Sequence, residues 1–386
     1  MNRTLRILGT RGVPAAHGGF ETFAEQLAKY LIRHGWRVIV YCQNAGTAPI
    51  VEDEWEGIER VTISVPQPNP KGNIFFDWKA IRHASQHQDL CLTLGYNTAV
   101  FCAWLRLKAV PNVINMDGIE WRRAKWGKAA KSWLWLNDWV GCWLANHLIA
   151  DHPEIARHLQ RRVPQRKITT IPYGAAHVEY ADEALILPYG LTPGGYLTLI
   201  ARAEPENSVL EIVQGFSQRP RGVRLVVLGN YDAHHAYQAA VKAAASDEVL
   251  FIGAVYDKSL VQALRFHSLA YLHGHQVGGT NPSLVEALGA GNPVIAHDNP
   301  FNRWVAGPGA MYFRSAEELS RELDQMLGNP QILAEMRAAS QKRFQNEFRW
   351  DAVLSKYADL LQRWLPASQQ TCGVEADKTR SAFREH

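Results

Sequence analysis

No run in this chain of 386 residues reaches the ~18 consecutive apolar residues that a membrane-crossing helix needs. Cysteine is scarce. Five residues, at 42, 91, 102, 142 and 372, form no C-x-x-C pair, so neither a zinc site nor a disulfide framework is indicated, and a reducing cytoplasm is the expected setting. The segment from Met1 to Gly9 lacks the apolar stretch of a signal peptide, which points the same way. A strong charge imbalance is missing too. The net charge of +4 suits a phosphate-bearing ligand or an anionic membrane surface and is too small to argue for nucleic acid. No Asp-x-Asp occurs, and Gly9, Gly12, Gly18 and Gly19 do not fit G-x-G-x-x-G. The second expected strand ends in Cys42-Gln43 where a dinucleotide-binding fold would carry an acid, which argues against an NAD-dependent dehydrogenase.

What remains is a globular composition, 47% hydrophobic and 20% charged, long enough for two cores. Leu5 to Gly9 reads as a strand, followed by a glycine loop to Gly19. Phe20, Phe23, Ala24, Leu27, Tyr30 and Leu31 then recur at helical spacing, and Trp36 to Cys42 is the next strand. Strand, loop, helix, strand begins a doubly wound α/β domain. Further strands are expected at Arg60 to Val65, Leu90 to Leu94, Asn112 to Met116, His147 to Ala150 and Lys167 to Ile171. Residues 172–195, rich in proline and glycine, read as a linker. A second α/β series has strands beginning at Tyr196, Arg224, Val249, Leu269 and Val294. The expected division is therefore 1–171, linker 172–195, 196–345, a C-terminal helix 346–366 and a disordered tail 367–386, with a cleft between the two Rossmann-like domains.

The richest stretch runs from His275 to Ala296. A turn carrying Gly278, Gly279, Thr280 and Asn281 feeds a short helix bearing Glu286, about two turns in. A Gly291-Asn-Pro break and a buried strand follow. Such a turn aims backbone amides and a helix N-terminus at one point, which suits an anionic or polyhydroxyl ligand. The competing reading is a tight turn beside a solvated glutamate. Arg202, directly after a strand, offers a planar fork for phosphate oxygens, or else sits in a surface ion pair. The block from Asn115 to Gly127 packs Asp117 and Glu120 among Arg122, Arg123 and Lys125, either as catalytic acids or as a salt-bridged loop. His273 and His275 have no acidic or cysteine partner at ligand spacing, so a metal is not expected. Trp135, Trp139 and Trp143 form a helical stripe that reads first as a core face. The neighbouring Trp121, Trp126 and Trp133 with Lys128 and Lys131 allow peripheral contact of residues 121–135 with an anionic membrane.

The segment around Glu286 resembles the donor-binding signature of retaining GT-B glycosyltransferases of family 4: Glu, seven residues, Glu, then Ala-Met/Leu-x-x-Gly-x-Pro-Val-Ile. Ala287, Leu288, Gly291, Pro293, Val294 and Ile295 follow it, and Gly278 stands where the first Glu belongs. Pro14, Gly18, Gly19 and Glu21 match the family's Pro-x-x-x-Gly-Gly-x-Glu loop. Arg202 matches the diphosphate-gripping arginine. The lysine that usually follows is absent, Asn207 being nearest, and the His usual near Asp117 is also missing. With Gly9 to Pro14, Leu94 to Thr98 and Asn299 to Arg303, the pattern is similar to a subset containing β-1,4-rhamnosyltransferases of capsular and exopolysaccharide assembly.

The resemblance implies two Rossmann-like domains facing a central cleft, with C-terminal helices and no cofactor. It further implies a nucleotide-sugar donor, dTDP-L-rhamnose foremost, and a glycan acceptor, lipid-linked where the enzyme works at the cytoplasmic face of an inner membrane. UDP-glucose or GDP-mannose as donor, or a binding subunit without turnover, are the alternatives. The implied catalytic residues are Asp117, Glu120 and Arg202. The implied donor-binding residues are Gly18, Gly19, Arg202, Asn207, Gly278, Gly279, Thr280, Asn281, Glu286 and Arg303, with Arg11 a further phosphate candidate.

Overall fold

The computed structural model describes residues 3–370 except 17, 68 and 233; the tail beyond 370, including Cys372, lies outside the described residues. The chain divides into two compact units: Met1–Ile171 together with Asp351–His386, and Pro172–Trp350.

The first unit is built from β1 (Arg3–Leu8), α1 (Gly19–Arg33), β2 (Trp36–Ala45), β3 (Val51–Trp55), β4 (Ile58–Val65), α2 (Pro70–Ala84), β5 (Leu90–Leu94), α3 (Cys102–Leu107), β6 (Asn112–Asn115), α4 (Lys128–Leu144), β7 (His147–Ala150), α5 (Pro153–Leu159) and β8 (Ile168–Thr170). Its eight strands lie in the order β3-β4-β2-β1-β5-β6-β7-β8, parallel except for β3, which pairs antiparallel with β4. Leu5, Ile7, Leu90, Leu92, Val113 and Ile114 are buried, as expected of parallel strands covered on both faces. Connectivity reverses between β1 and β5. There Gly9, at φ 78°, passes so close to Leu94 that a side chain would run into its carbonyl oxygen.

The second unit comprises β9 (Tyr196–Ile200), α6 (Val209–Ser217), β10 (Arg224–Leu228), α7 (Ala236–Ala243), β11 (Val249–Gly253), α8 (Lys258–Phe266), β12 (Ala270–His273), α9 (Pro282–Gly289), β13 (Val294–His297), α10 (Pro300–Ala306), β14 (Met311–Phe313), α11 (Ala316–Leu327) and α12 (Pro330–Glu347). The strand order β11-β10-β9-β12-β13-β14, with parallel pairing throughout, is the doubly wound arrangement, reversing between β9 and β12. Alternation along β9 sends Leu197 and Leu199 into one core with Phe216 and Leu319, and Tyr196 into another with Leu264. Four helices, α2, α9, α10 and α12, start with Asn-Pro. The asparagine oxygen accepts the amides of Gly72, Ser283, Asn302 and Gln331, and the proline fills a position whose N–H would have no partner.

Three expectations need correction. Residues 172–195 are not a free linker. Ala181, Ile186 and Leu191 pack with Val226, Leu228 and Ala263, and the Val178 amide donates to the Gly289 carbonyl at 3.0 Å. Beyond α12, helices α13 (Trp350–Gln362) and α14 (Ala367–Gln370) return the chain to the first unit. There the Asn115 side chain donates to the Tyr357 hydroxyl at 2.8 Å, and the Thr4 amide donates to Gln369 at 2.9 Å. Finally, the Trp135, Trp139, Trp143 stripe of α4 is not its core face. The helix buries Leu134, Asn137, Asp138, Gly141 and Cys142 instead. Both polar groups have partners: Asn137 accepts the Val100 amide at 2.9 Å, while Asp138 accepts from Trp121 (2.8 Å) and Arg162 (2.6 Å) and contacts His158 (2.9 Å). A buried polar side chain is tolerable when so satisfied, and periodicity cannot foresee those partners.

Candidate functional site

In an open parallel sheet, ligands bind beyond the carboxyl ends of the strands where connectivity reverses. In the second unit that point lies between β9 and β12, and two of the candidate motifs leave the sheet there. Ser208, at φ 47°, ends the turn after β9. Gly274, after β12, approaches this turn so closely that a β-carbon would strike the Asn207 carbonyl oxygen. The Gln276 amide donates to the Glu206 carbonyl at 2.9 Å, and its side chain donates to Ser208 at 2.8 Å, joining the two turns.

Arg202 emerges from this frame exposed, and no carboxylate among the described residues pairs with it. The ion-pair reading therefore fails, and its guanidinium keeps all its donors for a ligand. Asn207 has a different task from the one expected. Only 1% exposed, it donates to the Arg202 carbonyl at 2.9 Å, so it braces the loop under Arg202 and does not replace the missing lysine.

Residues 274–281 arch over to α9. Gly278 has φ 141°, a conformation that disfavours any side chain, so this backbone could not carry the glutamate of the family signature without strain. Asn281 caps α9 by accepting the Ser283 amide at 3.0 Å, with Pro282 at the first helical position. Thr280 is buried beside it. The hydroxyls of Tyr271 and Ser283, 2.7 Å apart, both reach the Ile200 carbonyl and pin the start of α9 to the end of β9. The helix thus directs its positive N-terminal end at the reversal point.

Glu286 lies on the fifth residue of α9, just over one turn in and nearer the N-terminus than the sequence suggested. It is half-buried, and Arg265 on α8 holds one of its oxygens, Oε2, at 2.6 Å; Arg265 also donates to Ser283 at 3.2 Å. That ion pair fixes the carboxylate and leaves Oε1 to accept from hydroxyls. Nothing in the sequence advertised Arg265, because its partner is 21 residues away on another helix.

Beneath the turn, His273 is wholly buried, neither ring nitrogen has a hydrogen-bond partner among the described residues, and its ring stacks on His275 at 4.5 Å. Burial pushes its pKa well below the usual histidine range, so it is neutral. The carbonyl of His275 accepts from Asn299 (3.0 Å) and Asn302 (2.8 Å), which gives the Asn299 to Arg303 motif a structural role. Arg303 is partly engaged: it bonds Asp298, a carboxylate that also pairs with Arg314 at 2.9 Å, so the two arginines share one negative charge and the group stays net positive. No cluster of three His, Cys, Asp or Glu among the described residues could hold a metal ion.

In the first unit the glycine loop runs from β1 to α1. Glu21 accepts the Arg11 amide at 3.0 Å and Glu25 the Ala15 amide at 2.8 Å, so the first turns of α1 hold the loop, while Gly18 and Gly19 lie at the helix N-terminus. The Arg11 guanidinium is braced by the amide oxygens of Gln43 and Asn73.

After β6, Asp117 sits at φ 54°. Desolvation, with Glu120 adding like charge, pushes its pKa up to about 6. A desolvated carboxyl with a raised pKa at a strand end is a candidate functional group. Glu120 is not free in the same way. Its carboxylate binds Arg123 at 2.8 Å, the Trp126 indole at 3.2 Å and Lys125 at 3.7 Å, so the salt-bridged reading holds for it, and it organises the loop. Asp77 on α2, absent from the sequence reading, is also pushed up to about 6 by burial and accepts from Thr98 at 2.8 Å.

Residues 194–343 match the family model described as Glycosyl transferases group 1, and residues 2–176 match one described as Domain of unknown function (DUF1972). No curated protein matches the chain. Among solved structures, sucrose-phosphate synthase from Thermosynechococcus elongatus superposes with a TM-score of 0.77 at 16% identity, over 94% of this chain and 99% of that one. Anabaena HepE in complex with UDP-glucose gives 0.72 at 15% identity over 93% and 99%. The α,α-trehalose-phosphate synthase of Burkholderia xenovorans, in complex with glucose-6-phosphate, gives 0.72 at 13% over 94% and 100%. The fold is that of the GT-B class.

Proposed function

We propose, from the premise that this chain is a glycosyltransferase carrying a group 1 domain, that it moves L-rhamnose from dTDP-L-rhamnose to a lipid-linked glycan in bacterial surface polysaccharide assembly, as a member of family 4. The observation that carries the nucleotide-sugar reading is the convergence at one strand-order reversal of an unpaired Arg202, the N-terminus of α9 and a fixed Glu286. HepE, which shares the fold, binds UDP-glucose, and that supports a nucleotide sugar as donor.

In this reading Arg202 and the amides of Gly279, Thr280 and Asn281 take up the diphosphate charge as the bond from the anomeric carbon to the phosphate oxygen breaks. The acceptor hydroxyl forms the new bond on the same face and gives its proton to the departing phosphate oxygen. Glu286 accepts from the ribose hydroxyls. In the first unit, Asp117 is the group assigned to the acceptor, and Gly18 and Gly19 offer amides to an anionic group. The conformation of Gly278 supports a deoxysugar: the signature's carboxylate partner for a sugar hydroxyl has no place on that turn.

The ribose assignment makes a prediction. Glu286→Gln should weaken binding of the nucleoside diphosphate by about 1.5–3 kcal/mol, the range for a hydrogen bond to a charged group. Arg265→Met, which touches no ligand in this account, should weaken it about tenfold by letting the carboxylate swing, with partial rescue in Arg265→Lys. Calorimetry on folded protein checks both, and unchanged affinity in either primary variant removes that residue from the site.

For the sugar, the pure enzyme should release nucleoside diphosphate fastest from dTDP-L-rhamnose when offered a panel with UDP-glucose and GDP-mannose and the native acceptor. Faster turnover of either competitor would sink the rhamnose assignment. Binding of every donor without release would mean a subunit that has lost turnover.

A further inference from the structure

Seven large apolar side chains left exposed belong to three helices of the first unit, α2, α3 and α4. These follow β4, β5 and β6, and each leads to a strand on the same side of its predecessor. Right-handed crossovers therefore place all three on one face of the sheet. Their contacts agree: Trp78 of α2 packs against Trp104 of α3 at 5.9 Å, and the Trp133 indole of α4 donates to the Asn97 carbonyl just before α3 at 2.9 Å. Trp143 is 60% exposed, Trp135 48%, and Leu107 77%.

The exposed charge on these three helices has one sign. Lys71, Arg82, Arg106, Lys108 and Lys128 are exposed, and Lys79 lies over the Phe75 ring at 4.6 Å. The acids of these helices turn inward, Asp77 onto Thr98 and Asp138 into its cage of Trp121, His158 and Arg162. Trp121 and Trp126, expected at a membrane, spend their indole N–H groups on Asp138 and Glu120. The exposed aromatics of α4 are therefore Trp133, Trp135 and Trp143, which run from the end of the 121–135 segment along the helix.

We infer that the face formed by α2, α3 and α4 docks the protein onto anionic phospholipid, with Trp135 and Trp143 entering the headgroup layer and the lysines and arginines pairing with phosphates. Exposed indoles flanked by cations, with no acid among them, match an anionic interface in both polarity and charge. A second copy of this chain would bring like charges together. The inference rests on the reading of a lipid-carried acceptor and gives it a surface, since such an acceptor stays in the bilayer.

The full chain should co-sediment with phosphatidylglycerol vesicles at low salt, be released at high salt, and ignore phosphatidylcholine vesicles. Lys128→Glu with Arg106→Glu should weaken binding on the order of 10- to 100-fold, because each basic residue near an anionic surface contributes about 1 kcal/mol. Trp135→Ser with Trp143→Ser should reduce it as well, with unchanged thermal melts and donor hydrolysis in both variants. Equal binding to neutral vesicles, or no binding to phosphatidylglycerol at low salt, overturns the inference. So does self-association that the tryptophan pair abolishes. Donor hydrolysis is read on the same samples, so a failed docking surface with hydrolysis intact leaves the glycosyltransferase reading standing, and loss of hydrolysis in the wild type strikes that reading separately.

Discussion

Arg202→Met should lower turnover of the nucleotide-sugar donor by about 10²–10³-fold, the usual cost of removing one preorganised donor aimed at developing negative charge. Stability should barely move. The guanidinium is exposed and has no ion-pair partner among the described residues, so its loss strands no buried partner, and a surface change of this kind stays within about ±0.5 kcal/mol. The loop keeps its shape because Asn207 grips the Arg202 carbonyl, which the substitution retains. Single-turnover kinetics beside a thermal melt separates the two effects. A destabilised variant with normal turnover would mean that Arg202 serves the fold.

Asp117→Asn should do the reverse of what most active-site changes do and stabilise the protein at neutral pH while turnover falls. The folded pKa is pushed up to about 6, against about 3.9 in the unfolded chain. For a carboxyl raised on folding, the stabilising contribution is fully present below the unfolded value and is lost as pH rises through the folded one. The wild type therefore gives up stability between pH ~4 and ~6, on the order of 1–3 kcal/mol, which the uncharged asparagine keeps. Asparagine also tolerates φ 54°, so the change adds no backbone strain. Urea midpoints should differ little at pH 4.5 and clearly at pH 7.5. A gap that does not grow with pH would show that Asp117 is not the desolvated acid described here.

The strands and their doubly wound order were legible because buried parallel strands read as short apolar runs and because each glycine loop marks a chain reversal. Two of the four edge strands were not: β3 is exposed and acidic along Val51–Trp55, and β14, only three residues long, is too short to stand out. The proline-rich stretch 172–195 looked like a linker since composition reports turns, whereas its burial depends on Val226 and Leu228 far along the chain. Within the site, the residues that announced themselves were those in local motifs, Arg202 and the turn to Glu286. The supporting residues stayed silent. Arg265, Tyr271 and Ser283 act across helices and strands, and no local spacing reveals an ion pair or hydroxyl bridge formed by folding. Asn207 misled for the same reason: it has the right chemistry, but it turns inward onto the backbone.

The diphosphate site proposed for the second unit is tested most directly by a crystal structure of the protein with bound nucleoside diphosphate. The predicted result is diphosphate oxygens within hydrogen-bond reach of Arg202 and of the Gly279 to Asn281 amides, with a ribose hydroxyl on the Glu286 oxygen that Arg265 leaves free. A nucleotide bound in the group 1 domain with its diphosphate away from Arg202 and from the N-terminus of α9 would contradict it.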